Sequence, residues 1–215
     1  MIKLHGIGVS NYYNTAKLAF IEKGVEFEEV DVFPSDKPEV LAASPVGKVP
    51  WIEVDGENLS EVNAIFDYLE DINPEPALYP SDPFARAKVK ELIRILELYI
   101  DLPARRHIAA VYFGASVDPV AFEEARPAIE KGLSALKQRA KFGPYIAGKE
   151  FTFADITAYF QLGFTNMHTQ AIYDWDITET MPELGEYLTM LGKRESVTVV
   201  AGAMQKAMAA FAKAS

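Results

Sequence analysis

Four consecutive residues near the start of the chain, Ser10-Asn11-Tyr12-Tyr13, carry three hydroxyls and an amide that can donate hydrogen bonds to an anion. They fall where a short first strand gives way to a helix, and a donor beside a helix N-terminus acts together with the positive end of the helix dipole. Ser10 is one candidate. Asn11, Tyr12 and Tyr13 are alternatives, and a serine that only caps the helix is the structural reading. Two further stretches add binding groups. Lys48-Val49-Pro50 puts a cation ahead of a proline that opens a strand, where unpaired backbone can pair with a peptide-like ligand. Glu61-Val62 lies in the first turn of a helix whose N–H groups favour an anion, with Ser60 standing where an N-cap belongs.

The chain contains no cysteine, which excludes disulfides, thiolate metal sites and a protein thiol as nucleophile. Its three histidines, His5, His107 and His168, have no spacing that suggests a metal site, so none is expected. Tyr99, Arg106, His107, Tyr112 and Phe113 follow one another along a helical stretch, and Phe164 and His168 come later. Their mixture suits an apolar pocket with polar tips, while the same spacing also describes a helix packed in a core.

The elements that must position these groups are legible in outline. Ile2 to His5 reads as a strand, Asn14 to Lys23 as a helix closed by Gly24, and Val25 to Val32 as a second strand parallel to the first. Trp51 to Val54 and Glu57 to Leu59 flank Asp55-Gly56, the signal for a tight hairpin, and a helix follows from Glu61 to about Ile72. Prolines 74, 76, 80 and 83 then interrupt any helix and mark an ordered linker over 74–83. Beyond it the pattern is helical: Phe84 to about Phe113, Pro119 to Ala140, Thr152 to about Met167, Pro182 to Leu191 and Ser196 to Ala212. Thr152-Phe153-Ala154-Asp155 matches a capping box. The division expected is therefore 1–73, linker 74–83, and an all-helical 84–215.

Over 215 residues the net charge is −10, and no cluster of Lys or Arg forms a phosphate-binding patch. Nucleic acid and anionic membranes are therefore not expected partners, and an anionic ligand must be held by local donors. The N-terminus lacks the apolar stretch of a signal peptide, which predicts a cytoplasmic protein.

The order βαβ, ββα, proline linker and helical region, with Ser44-Pro45-Val46-Gly47-Lys48-Val49-Pro50 between the two halves of the first part, resembles the cytosolic glutathione S-transferases. Leu59-Ser60-Glu61 leading into Ala64-Ile65, Asp67-Tyr68-Leu69, and Phe153-Ala154-Asp155 strengthen the likeness, which covers nearly the whole chain. It implies a thioredoxin-like α/β domain followed by an all-α domain. It also implies a cis Val49–Pro50 bond, with Val49 pairing through its backbone to the cysteinyl part of glutathione and Lys48 near the glycyl carboxylate. Glu61 and Val62 would meet the γ-glutamyl end, although Val62 stands where the family carries serine. Ser10 matches the thiol-activating serine of theta-like and zeta-like, including bacterial, members, while other classes use a tyrosine.

The implied activity is transfer of the glutathione thiolate to small hydrophobic electrophiles, a detoxification chemistry, with Tyr99, Arg106, Tyr112 and Phe113 as candidates for the co-substrate pocket. Glutathione-dependent peroxidase or disulfide reductase chemistry, and a non-catalytic binding or regulatory role, are the alternatives. Glutathione is the expected co-substrate, no metal is expected, and a homodimer is implied, with Ile65, Leu69, Ile93 and Leu96 as its expected apolar faces.

Overall fold

The computed structural model describes residues 1–214, and the side chains of 1–213. The chain forms two compact units. The first comprises Met1–Leu78 together with the chain from Arg194 on, and the second comprises Tyr79–Lys193. The change of unit falls inside the proline-rich 74–83 stretch. The last helix, which the sequence division places with the helical region, clusters instead with the first unit.

In the first unit, β1 (Ile2–Gly6), α1 (Asn11–Lys23) and β2 (Phe27–Asp31) form the βαβ crossover, with β1 and β2 parallel. A short α2 (Pro38–Ala43), absent from the sequence reading, precedes β3 (Trp51–Val54), β4 (Glu57–Ser60) and α3 (Val62–Ile72). The sheet order is β2-β1-β3-β4, with the last two strands antiparallel across Asp55-Gly56. Asp55 and Gly56 both have positive φ, as a tight hairpin turn requires.

Leu4, Leu18, Phe20, Ile52, Ile65, Phe66 and Leu69 are fully buried and form the core of this unit. Ile65 and Leu69, and likewise Ile93 and Leu96 of the second unit, are 0% exposed within their own chain. That corrects the expectation that they supply a dimer face, because the packing of their own units already uses them. The proline-rich stretch is tied down: the buried Lys23 ammonium reaches Glu70 at 2.8 Å and the Pro76 carbonyl at 2.6 Å, and Glu70 accepts from the Leu78 N–H at 3.2 Å.

The second unit holds α4 (Pro83–Ile95), α5 (Leu102–Ala104), α6 (Ile108–Phe113), α7 (Pro119–Arg139), α8 (Phe153–Tyr173), a short α9 (Ile177–Thr180) and α10 (Glu183–Gly192). The sequence reads residues 84–113 as one helix. The structure breaks it with a π turn over Leu96–Asp101 and a 3-10 turn over Arg105–His107. Pro103 supplies the reason: it has no N–H for the carbonyl four residues back, that of Tyr99, so the helix widens. Gly132 on α7 packs against this carbonyl, and a Cβ there would stand 2.2 Å from the Tyr99 oxygen.

The final helix, α11 (Glu195–Ala214), packs on α1 in the first unit and buries Val197 and Val200. Among the described residues no helix is long and apolar enough to cross a membrane.

Candidate functional site

Ser10 is the N-cap of α1, so this helix begins three residues earlier than its apolar pattern suggests. The Ser10 Oγ accepts from the Tyr13 N–H at 3.3 Å, and among the described residues its own proton has no acceptor. The loop before it is braced by Asn14, whose side-chain amide donates to the Gly8 carbonyl at 2.8 Å and the Ser10 carbonyl at 2.7 Å.

The neighbouring candidates are placed differently. Asn11 is buried, its carbonyl accepting from the Thr15 hydroxyl at 2.8 Å. Tyr12 is half-buried. Tyr13 is buried with its ring against Gly6, and its hydroxyl donates to Glu29 at 2.5 Å. Burial, and then the Glu29 carboxylate, push the Tyr13 hydroxyl well above the usual tyrosine range. Glu29 also takes Lys17 at 2.7 Å, which occupies that lysine as well.

The turn before β3 is built on Gly47, whose φ of +67 favours glycine and whose carbonyl accepts from the Ser35 N–H at 3.0 Å. A Cβ on Gly47 would lie 2.6 Å from the Ser35 carbonyl oxygen, so the 35–36 segment closes directly on this turn. Lys48 is exposed, Val49 half-buried and Pro50 buried, and the Val49–Pro50 bond is cis. Ladder pairing of β3 starts at Trp51, which stacks on His5 of β1 with ring centres 4.9 Å apart; Trp51 is a packing residue.

At the start of α3 the structure departs from the sequence reading. Ser60 ends β4 and is not the cap. Glu61 is the N-cap, exposed, with φ 71 and ψ 116, and its side chain makes no cap hydrogen bond. The first turn of α3 contains no acidic residue, and Val62 turns into the core. A non-glycine residue at such a φ is held there against its own preference, and the helix start it precedes is one that an anion can complete.

The residues expected around a co-substrate pocket are not all alike. Tyr99 and Phe113 are exposed, and Arg106 is paired with Glu124 at 2.7 Å. The Tyr112 hydroxyl approaches the Met167 Sδ at 3.9 Å, its ring meets His168 edge-on, and burial pushes its hydroxyl pKa up to about 12. Phe164 is buried beneath the Arg105 guanidinium, 4.6 Å from the ring centre. His107 and His168 are interior residues. His107 Nε2 bonds the Tyr173 hydroxyl at 2.8 Å, and His168 Nδ1 bonds the Phe164 carbonyl at 2.8 Å. Burial drives His168 down to about 4, so it is neutral near pH 7. Among the described residues no group of three or more His, Cys, Asp or Glu could hold a metal ion.

The profile described as glutathione S-transferase, N-terminal domain, matches residues 4–77, and the corresponding C-terminal domain profile matches residues 119–189. A protein of Pseudomonas putida described as glutathione S-transferase is 40% identical over 211 residues, spanning 98% of this chain and 96% of the relative. The structure of glutathione transferase E6 from Drosophila melanogaster superposes with a TM-score of 0.79 at 25% identity, covering 99% of this chain and 97% of the other. That of glutathione transferase F7 from Populus trichocarpa, at 20% identity and a TM-score of 0.78 over 95% of this chain and 99% of the other, shares the fold.

Proposed function

Because the chain belongs to the glutathione S-transferase family, we propose that its first unit holds glutathione along the Ser10 loop, Val49 and the start of α3, and that the bound thiolate attacks small hydrophobic electrophiles. The sulfur lone pair forms the new carbon–sulfur bond and the leaving group departs with the electrons of the bond it breaks. The protein supplies position and thiolate stabilisation rather than a nucleophile of its own.

The observation that carries this reading is the state of the Ser10 hydroxyl. Its oxygen is spent on the cap of α1 while its proton has no acceptor among the described residues, so it can donate to a sulfur anion. The Tyr13 hydroxyl is already committed to Glu29. Glu61 offers a carboxylate for the γ-glutamyl ammonium, the uncapped start of α3 suits the adjacent carboxylate, and exposed Lys48 suits the glycyl carboxylate. Val62, buried, contributes backbone only. Tyr99 and Phe113 are the exposed aromatic groups of the second unit from which an electrophile pocket would draw. A serine-type assignment, a cytoplasmic location, a role in detoxification and a homodimer belong to the same reading. The dimer would draw on exposed apolar side chains such as Val46 and Phe84, 66% and 73% exposed, and light scattering tests it.

The decisive experiment is titration of the bound glutathione thiol by thiolate absorbance, a signal no protein cysteine contaminates. Ser10→Ala is expected to raise the midpoint by about one to two pH units, the equivalent of one charge-assisted hydrogen bond. Tyr12→Phe, Tyr13→Phe and Asn11→Ala should leave it in place. A shift in one of these three with none in Ser10→Ala moves the role to that residue.

A further inference from the structure

We infer that α11 positions the thiol-activating loop: Ala207 presses on Gly8 and thereby sets where the 7–10 segment, and Ser10 with it, stands. This rests on the reading of Ser10 given above, but the contact and its consequence can be tested apart from it.

The loop is held from two sides. On one, Asn14 of α1 donates to the carbonyls of Gly8 and Ser10, and the Ser10 N–H closes a turn onto the Ile7 carbonyl at 3.0 Å. On the other stands α11. Its N-terminal end is clamped to the C-terminal end of α1, where Arg194 grips both oxygens of Glu22 at 2.6 Å each and the Ser196 hydroxyl donates to the same carboxylate. Thirteen residues separate Arg194 from Ala207, about 20 Å of helix, which carries α11 back along α1 to the loop that precedes it.

There the fit is close. A Cβ built on Gly8 would lie 2.9 Å from the Ala207 Cβ, and among the described residues this is the one atom outside the immediate chain neighbours that it would meet within 4 Å. Methyl carbons settle at roughly 3.5–4.0 Å, so the two cannot coexist without movement. The φ of Gly8 lies outside the left-handed region, so its backbone would accept alanine. The glycine is needed for room against α11, two residues before the hydroxyl that meets the sulfur. A charge-assisted hydrogen bond weakens steeply once its length and angle are lost, so a displacement of the loop by a few tenths of an ångström to one ångström reads out directly in the thiol.

The test uses the full chain with glutathione and a chromogenic aryl halide. Gly8→Ala is expected to raise the bound-thiol midpoint by about one unit and to lower kcat at neutral pH about tenfold, with KM for glutathione changed less than about twofold because Val49 and α3 are untouched. The size-swapped double variant Gly8→Ala/Ala207→Gly should return both the midpoint and kcat. Ala207→Val, which pushes on the same contact from the α11 side while leaving the loop sequence intact, should shift the midpoint in the same direction and serves if Gly8→Ala does not fold.

An unchanged midpoint in folded, glutathione-binding Gly8→Ala or Ala207→Val overturns the inference, as does a shift that persists undiminished in the double variant. If Ser10→Ala leaves the midpoint alone while the size-swap pair behaves as expected, α11 still positions the loop and the Ser10 assignment alone falls.

Discussion

Two helix starts in this protein each offer a hydroxyl residue at the expected cap, and the structure closes one with side chains while the other has no side-chain cap bond. At α8, Thr152 caps the helix and Asp155 reaches back, accepting from the Thr152 N–H and hydroxyl, the Ile146 N–H and the Tyr187 hydroxyl at 2.7–3.1 Å. Every group there is buried and answered from within the second unit. At α3, the residue in the cap position is exposed, sits at a positive φ and makes no side-chain cap bond. A helix start closed by its own side chains serves stability, whereas one left open at a cost in backbone strain is available to a ligand.

The largest effect should come from breaking the closed start. Asp155→Ala abandons four donors in the interior and is expected to destabilise the second unit by about 4 kcal/mol, read as a loss of the urea midpoint. A cost near that of a surface substitution would erase the distinction between the two helices.

Next comes pH, acting on the interior end of α8. Burial holds His168 at about 4 when folded, below the usual histidine value near 6.5, so between these two limits the unfolded chain binds the extra proton. Stability is therefore fully present above about pH 6.5 and is lost as pH falls toward 4, by on the order of 3 kcal/mol. His168→Gln should flatten that part of the stability–pH curve relative to the parent. Parallel curves would show that the histidine charge is tolerated.

At the open start the sign reverses. Glu61→Gly relieves the positive φ and should raise stability by about 1 kcal/mol while raising KM for glutathione, a trade measurable by thermal melts beside steady-state kinetics. Loss of stability in this variant would show that α3 is capped after all. The smallest and sharpest contrast pairs the two candidate cap hydroxyls: Thr152→Ala should cost about 1 kcal/mol, Ser60→Ala less than about 0.5. Equal costs would restore Ser60 to the cap.

Much of the fold was legible because it rests on local rules. The Asp55-Gly56 hairpin and the capping box are each specified within a few residues, the parallel crossover follows from the strand–helix–strand order, and the structure shows all three. Glu61 departs from the sequence pattern for the converse reason: local preference puts serine at a cap and keeps glutamate away from positive φ, and only the surrounding fold overrides it. The break at 96–107 was visible in Pro103, yet the continuous apolar pattern masked it. α11 is legible as a helix but carries no sequence mark of its partner, since periodicity shows that a face is buried and not against what. At the site, donor types were readable near Ser10, while the commitment of Tyr13 to Glu29 depends on a strand pairing 16 residues away.

The strand β2 lies at one edge of the sheet and carries exposed Glu28, Glu29 and Asp31. A second copy approaching this edge to extend the ladder must bring its own row of carboxylates alongside, and the repulsion keeps the edge solitary.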